Sequence, residues 1–263
     1  MQLKNARVWV TGGASGMGEA LIAPLLDRGA RVAITDRRAE ALAVTASRYT
    51  RGQPVVAVPG DVTDRDAMHA VVAQVEQALG GIDIAILNAG ITGQISALSL
   101  DVASIKRVFD VNFFGALYGL EAVLPGMLQR GSGQVVAVAS LAGYRGLPKM
   151  AGYGASKAAL IHAFDSFRFE LAPRGIQVTL VTPGFVRTEM TSSNDPRPAI
   201  VDAAVAARII LDGVADGRHE VHFPARLSWL IKALRVLPYP IYERIITARE
   251  RRGGLGFHHD APH

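Results

Sequence analysis

Short apolar runs alternate with longer amphipathic stretches through most of this chain. Ala6-Arg7-Val8-Trp9-Val10 reads as a buried strand, and the pattern returns at Ala30 to Asp36, Val55 to Val58, Ile82 to Leu87, Gly133 to Ser140, Ile176 to Val181 and Glu220 to Phe223. Such runs, bounded by turn residues and without polar alternation, suit strands covered on both faces. Between them, helical spacing of apolar residues predicts a helix through Ala20, Leu21, Leu25 and Leu26 to a stop at Gly29. Further helices are predicted over Ala39 to Tyr49, from near Asp64, from Asp101 to about Arg130, over Ala158 to Leu171 and over Val201 to Leu211. Glu189 to Pro198, rich in Ser, Asn, Asp and Pro, reads as a mobile loop.

Beyond Pro224 the pattern changes. Leu227, Leu230, Ile231 and Leu234 recur at i, i+3, i+4 and i+7 with Lys232 and Arg235 interleaved. Pro238-Tyr239-Pro240 interrupts them, and a second apolar and basic stretch runs from Ile241 to Arg252. This predicts a basic amphipathic helical pair. Packing on the protein's own body or a sister subunit is the preferred reading. A lid over an apolar substrate mouth, or a membrane-surface contact through 225–252, is the alternative. Gly253 to His263 reads as a loose tail.

Length and composition narrow the class. The chain has 263 residues, enough for one large α/β domain, and its 49% hydrophobic and 19% charged content is globular. Cysteine is absent, so thiolate nucleophiles, disulfides and Cys-ligated zinc are excluded, in keeping with a reducing cytoplasm. No signal-peptide pattern precedes the first strand, and no uninterrupted apolar run is of bilayer-spanning length, so a cytoplasmic location is expected. The net charge of +5 crowds toward the end of the chain and reads as a local feature, with no nucleic-acid partner expected.

Candidate chemistry gathers where strands end. Thr11-Gly12-Gly13-Ala14-Ser15-Gly16-Met17-Gly18 follows the first strand and opens a helix, the setting in which a Gly-rich turn holds a dinucleotide. Asp36, ending the second strand, is placed to accept hydrogen bonds from an adenosine ribose and to repel a 2′-phosphate, which favours NAD over NADP. Arg37 and Arg38 argue the other way, since a guanidinium can clamp a phosphate. They are read as solvated first-turn residues, with Arg37 kept among the cofactor positions. Asp61, beside Val62, is a loop acid or an acceptor for the adenine amino group, and Asn88-Ala89-Gly90 closes the fourth strand with small residues. Asn112 sits among apolar neighbours and must find partners. Ser140 stands at the end of the fifth strand, where open α/β sheets bind ligands. Tyr153 and Lys157, four positions apart, share one helical face, and a fixed cation favours phenolate, making tyrosine a usable general acid/base. The seven histidines (His69, His162, His219, His222, His258, His259, His263) show no ligand spacing, and no metal is expected. Ser140 lacks the G-x-S-x-G of a hydrolase elbow.

Together these motifs resemble the short-chain dehydrogenase/reductase family, over Ala6 to roughly Pro224: T-G-x-x-x-G-x-G at Thr11 to Gly18, N-A-G at Asn88 to Gly90, Asn112, Ser140, Tyr153-x-x-x-Lys157 and the P-G at Pro183-Gly184. The resemblance implies a three-layer Rossmann fold, a doubly wound parallel sheet of seven strands in the order 3-2-1-4-5-6-7. It implies a nicotinamide cofactor held by Gly12, Ser15, Gly16, Met17, Gly18, Asp36, Arg37, Asp61, Val62, Asn88, Ala89, Gly90, Tyr153, Lys157, Pro183, Gly184, Val186 and Thr188. Tyr153 would be the proton carrier and Ser140 the group holding the substrate oxygen. Lys157 would lower the tyrosine pKa and bond the nicotinamide ribose, Asn112 would hold a relaying water, and Thr188 and the Val186 backbone would grip the carboxamide. Leu141, Leu147, Met150, Phe185 and Met190, with Ser140, Tyr153 and Ile91, are the substrate-pocket candidates and suggest an apolar secondary alcohol or its ketone. The body 1–224 would carry cofactor and catalysis, 225–252 would be a helical extension of it and 253–263 a flexible tail. A homo-oligomer, dimer or tetramer, is expected. A catalytically silent dinucleotide-binding regulator and a membrane-associated relative are the competing readings.

Overall fold

The computed structural model describes residues 2–49, 54–191 and 199–251. The strands are β1 (Arg7–Thr11), β2 (Arg31–Thr35), β3 (Val56–Ala57), β4 (Ile84–Leu87), β5 (Gly133–Val138), β6 (Ile176–Pro183), β7 (Val186–Arg187), β8 (Val201–Asp202) and β9 (Glu220–Phe223). Seven of them form one parallel sheet in the order β3-β2-β1-β4-β5-β6-β9, the order expected with β9 as its seventh strand. The helices are α1 (Gly16–Ala20), α2 (Ile22–Asp27), α3 (Ala39–Ser47), α4 (Arg65–Leu79), α5 (Val102–Phe109), α6 (Gly115–Arg130), α7 (Ala151–Leu171), α8 (Ala203–Ala215), α9 (Ala225–Val236) and α10 (Tyr239–Arg251).

Because side chains alternate along a strand, the sheet carries an apolar layer on each face. Val8, Val10, Ile34, Ile84 and Ile86 meet Ile22 and Leu25 of α2, Leu42 of α3 and Ile210 and Leu211 of α8. Trp9, Ala85, Leu87 and Val135 meet Val71 and Val75 of α4, Val123 and Met127 of α6 and Leu160 and Phe164 of α7. Helix α4 shows why such segments form: Asp64 caps it by accepting from the Ala67 N–H at 3.0 Å, and Gly80 ends it at φ 82°. Met68, Val71, Val72, Val75 and Leu79 line its buried face.

Several boundaries differ from expectation for local reasons. The first helix breaks at Leu21 because Pro24 has no N–H and its ring crowds the carbonyl of Ala20. The helix expected from Val201 starts at Ala203, because Val201–Asp202 pair in parallel with Val186–Arg187 as a small ribbon. The third strand shrinks to Val56–Ala57 at the sheet edge. Of the expected loop Glu189 to Pro198, Glu189–Thr191 make one 3₁₀ turn and 192–198 lie outside the described residues, as does the expected tail 253–263.

The long helix is continuous from Val102 to Arg130, with Asp110–Phe114 widened into a π turn. By length and composition this 29-residue run passes for a membrane span, contrary to expectation. It packs against α4, α7, β4 and β5.

The C-terminal pair lies against the body. On α9, Ser228 is buried and Leu227, Ile231 and Leu234 are half-buried, while Leu230, expected in the same apolar stripe, faces out at 52% exposure. Arg145 donates to the carbonyls of Leu234, Arg235 and Leu237 at 3.2, 2.6 and 3.3 Å, tying down the end of α9. Its guanidinium lies 4.2 Å from the ring centroid of buried Tyr242 on α10, whose hydroxyl donates to the Gly146 carbonyl. A second tie joins Glu220, which accepts from Tyr144, from Thr182 at 3.0 Å and from Lys232 of α9 at 2.6 Å.

Candidate active site

The C-terminal ends of β1, β2, β4, β5 and β6 open onto a cleft of about 410 Å³. At one end lies the glycine turn. Gly12 has φ +68°, and a Cβ on Gly18 would stand 2.0 Å from the Gly12 oxygen, so no larger residue fits at position 18 in the first turn of α1. The turn is braced from β4: Asn88 Nδ2 donates to the Thr11 carbonyl at 3.0 Å, and the Asn88 and Ala89 N–H groups both donate to Thr11 Oγ1. Thr188 faces Gly16, with its side chain 3.5 Å from where a Cβ would be.

At the end of β2, the Asp36 carboxylate accepts from the Arg38 N–H at 3.0 Å and from its Nε at 3.1 Å. Arg38 also reaches Ser15 Oγ at 2.8 Å, so it spans from the acid to the glycine turn. Burial raises the Asp36 pKa, but the Arg38 hydrogen bonds and charge outweigh it and hold the carboxyl below its usual range. Arg38 is exposed, as read from sequence, yet also lines the cleft, as does Arg37. Asp61 lines it too, with Oδ1 already accepting from the Thr63 N–H and hydroxyl at 2.9 Å each.

At the other end, α7 begins two residues before Tyr153 and brings it beside Lys157 and Ser140. The Lys157 Nζ lies 5.9 Å from the Tyr153 ring centroid and donates to the Val138 carbonyl at 2.8 Å. Asn112, fully buried in the π turn, accepts from the Ile91 N–H at 2.7 Å and donates to the Ile91 carbonyl at 2.9 Å and to Ser156 Oγ at 3.1 Å. Ser156 in turn donates to the Tyr153 carbonyl at 2.8 Å. A Cβ on Gly90 would lie 3.2 Å from Asn112 Oδ1 and 3.4 Å from Lys157 Nζ, so both groups meet above that glycine. Burial drives the Lys157 ammonium down to about 8. Burial also raises the Tyr153 phenol above its ordinary value, and the Ser140 hydroxyl beside it opposes this without cancelling it. The expectation that Lys157 holds the phenol low is thus corrected: the cation is turned toward Val138, and desolvation prevails.

Every cofactor position named from sequence lines this cleft or frames it: Gly12, Ser15, Gly16, Met17, Val62, Asn88, Ala89, Gly90, Pro183, Gly184 and Val186 lie along its wall. The substrate candidates fare differently. Ile91 lines the cleft, but Leu141 and Met150 are buried at 3% and 8%, and Leu147 and Phe185 are half-buried without lining it. The Met190 side chain lies outside the described residues. Among the described residues no group of histidines and carboxylates could hold a metal ion. Sequence reading misses Ser156, for which a serine three positions after Tyr153 is the available signal. It also misses the Tyr144–Glu220–Lys232 tie, whose members carry no shared local pattern.

The donors fit a nicotinamide dinucleotide: a glycine turn at a helix start for phosphate, a carboxylate for ribose hydroxyls, and an ammonium and phenol at the reacting end. The family model described as short chain dehydrogenase matches residues 6–199. An uncharacterized oxidoreductase of Myxococcus xanthus is 37% identical over 89% of this chain and 93% of its own length. The dehydrogenase/reductase SDR family member 7B of Rattus norvegicus is 31% identical over 95% of this chain and 83% of its own. A short chain dehydrogenase from Burkholderia cenocepacia, solved in complex with NADP, superimposes with a TM-score of 0.81 at 29% identity, covering 94% of this chain and 99% of that one.

Proposed function

The chain belongs to the short chain dehydrogenase family, and from that premise we propose that this oxidoreductase interconverts an apolar secondary alcohol and its ketone, with NAD preferred. The observation that carries the reading is that Tyr153 and Lys157 line one end of a cleft whose other end holds the glycine turn and Asp36, with Ser140 beside the Tyr153 hydroxyl and buried Asn112 beside Lys157 above Gly90. A silent nucleotide-binding regulator has no use for a buried ammonium beside a phenol.

A bound nicotinamide accepts or supplies the hydride. In ketone reduction, the Tyr153 hydroxyl gives its proton to the carbonyl oxygen as hydride reaches the carbon. In alcohol oxidation the phenolate takes the hydroxyl proton back. The Ser140 hydroxyl holds the same oxygen and stabilises the charge that grows on it. Lys157 would hold the nicotinamide ribose and return protons to Tyr153, with Asn112, beside it above Gly90, positioning the relay toward solvent. Asp36 supports NAD by charge, and Ile91, the apolar substrate candidate that lines the cleft, supports an apolar substrate.

The test is Tyr153→Phe against a panel of secondary alcohols and ketones, followed by NADH absorbance. Turnover should vanish while NADH still binds and quenches as in the parent. Near-normal turnover in the variant would remove Tyr153 from the chemistry.

A further inference from the structure

The outer face of the C-terminal helical pair is apolar, ringed by cations and left open. On α9, Arg226, Trp229, Leu230 and Val236 are all exposed and fall at i, i+3, i+4 and i+10, one side of a helix. On α10, Ile241, Arg244 and Ile245 repeat the i, i+3, i+4 arrangement and are likewise exposed. Trp229 is 63% exposed and Val236 82%, although the inward faces of the same helices are anchored by Ser228 and Tyr242. The pair is therefore docked on one side and largely exposed on the other, where the Trp229 ring still meets His222 edge-on at 5.5 Å and lies 5.3 Å from the Lys232 ammonium.

Charge selects the occupant. Residues 225–252 contain seven Lys and Arg against two Glu, a surplus equal to the +5 of the whole chain. Of these, Lys232 is turned inward to Glu220, while Arg226 and Arg244 share the open face with its apolar side chains, so a second copy meeting this face through a two-fold axis would set those guanidinium groups against their own counterparts. An anionic bilayer presents the opposite sign and accepts apolar side chains beneath its headgroups. Trp229 and Tyr239, exposed at 63% and 68%, are the residue types favoured at that depth.

We propose that α9 and α10 seat the protein on an anionic lipid surface, with Trp229, Leu230, Val236, Ile241 and Ile245 inserted and Arg226 and Arg244 among the headgroups. The seat lies beside the reacting end of the cleft. Leu227 of α9 comes within 3.2 Å of where a Cβ on Gly184 would be, and Gly184 lines the cleft. Arg145 and Gly146, in the loop that follows Ser140, are bound to the two helices. Surface binding would thus set the substrate entrance near the lipid in which an apolar alcohol or ketone dissolves.

The protein carries its own reporter. Of its two tryptophans, Trp9 is buried with its indole donating to Thr35 at 3.0 Å, so environmental change registers through Trp229. The full chain should co-float with vesicles of phosphatidylglycerol and phosphatidylcholine, with blue-shifted emission, and should not do so with pure phosphatidylcholine. Binding should fall as salt rises. The double variant Arg226→Gln, Arg244→Gln should weaken binding by roughly thirtyfold. Leu230→Ser should weaken it while NADH binding and turnover of a soluble substrate stay at parental values, which shows the variants folded. Equal binding to neutral and anionic vesicles, or none to either, overturns the proposal. So does an oligomer that Leu230→Ser dissociates in the absence of lipid, which would assign the face to a second copy.

Discussion

Lys157 is held in a place where charge is costly, and its titration should show in stability. Its pKa in the folded protein, about 8, lies below the 10.5 of an exposed lysine. Between those values the unfolded chain binds a proton that the folded chain has lost, so the folded state gains as pH rises. Relative to Lys157→Met, which has nothing to titrate there, the parent should gain stability from pH 8 to 10.5, by at most ~3 kcal/mol. Thermal melts of both proteins across that range measure it; a constant difference would mean Lys157 is not desolvated. On the proposed NAD reading, Asp36 and Arg38 would oppose one another at the adenosine ribose. Asp36→Ala should narrow the preference for NAD over NADP, and Arg38→Ala should widen it, as read from kcat/KM with each cofactor. A parent that prefers NADP would show the guanidinium outweighing the acid. Tyr153 and Lys157 are legible in the sequence because positions four apart on one helix share a face. Arg38 is not, since its meaning lies in reaching back to Ser15, 23 positions away, and nothing local announces that reach.

Elements are legible where a single period runs undisturbed, as in β1, β4, β5 and α4. They are misread where chemistry interrupts the period. Pro24 splits the first helix, and a two-residue pairing with β7 takes the start of what pattern alone would give to α8. The π turn at Asn112 is invisible to apolar spacing, because it changes which face a residue meets and leaves the composition unchanged. The hold of Arg145 on α9 and α10 belongs to this scale. Its guanidinium serves three terminal carbonyls and the Tyr242 ring together, so Arg145→Ala leaves the end of α9 without its cap. Amide exchange in 225–251 should quicken about tenfold or more while β1, β4 and β5 exchange as before. Unchanged exchange would place the anchorage on the Glu220–Lys232 tie instead.

For the whole molecule, the sheet order follows from the resemblance, and both apolar layers follow from the alternation of strand side chains. How the last two helices lie is not legible, because Leu230 and Ile231 satisfy the same apolar spacing, yet the first faces out and the second is half-buried. The charge confined to those helices has a colloidal consequence. The remainder of the chain carries as many acids as bases, so near neutral pH it has almost no electrostatic repulsion to keep copies apart. Reversing Arg226, Arg235 and Arg244 to Glu would take the net charge from +5 to about −1 and bring the isoelectric point down toward neutrality. Light scattering at low salt should then show clustering at concentrations where the parent stays dispersed, with the gap closing as salt screens the parent's charge. The helical pair would in that case act as the protein's dispersant, keeping a body of balanced charge suspended as single particles.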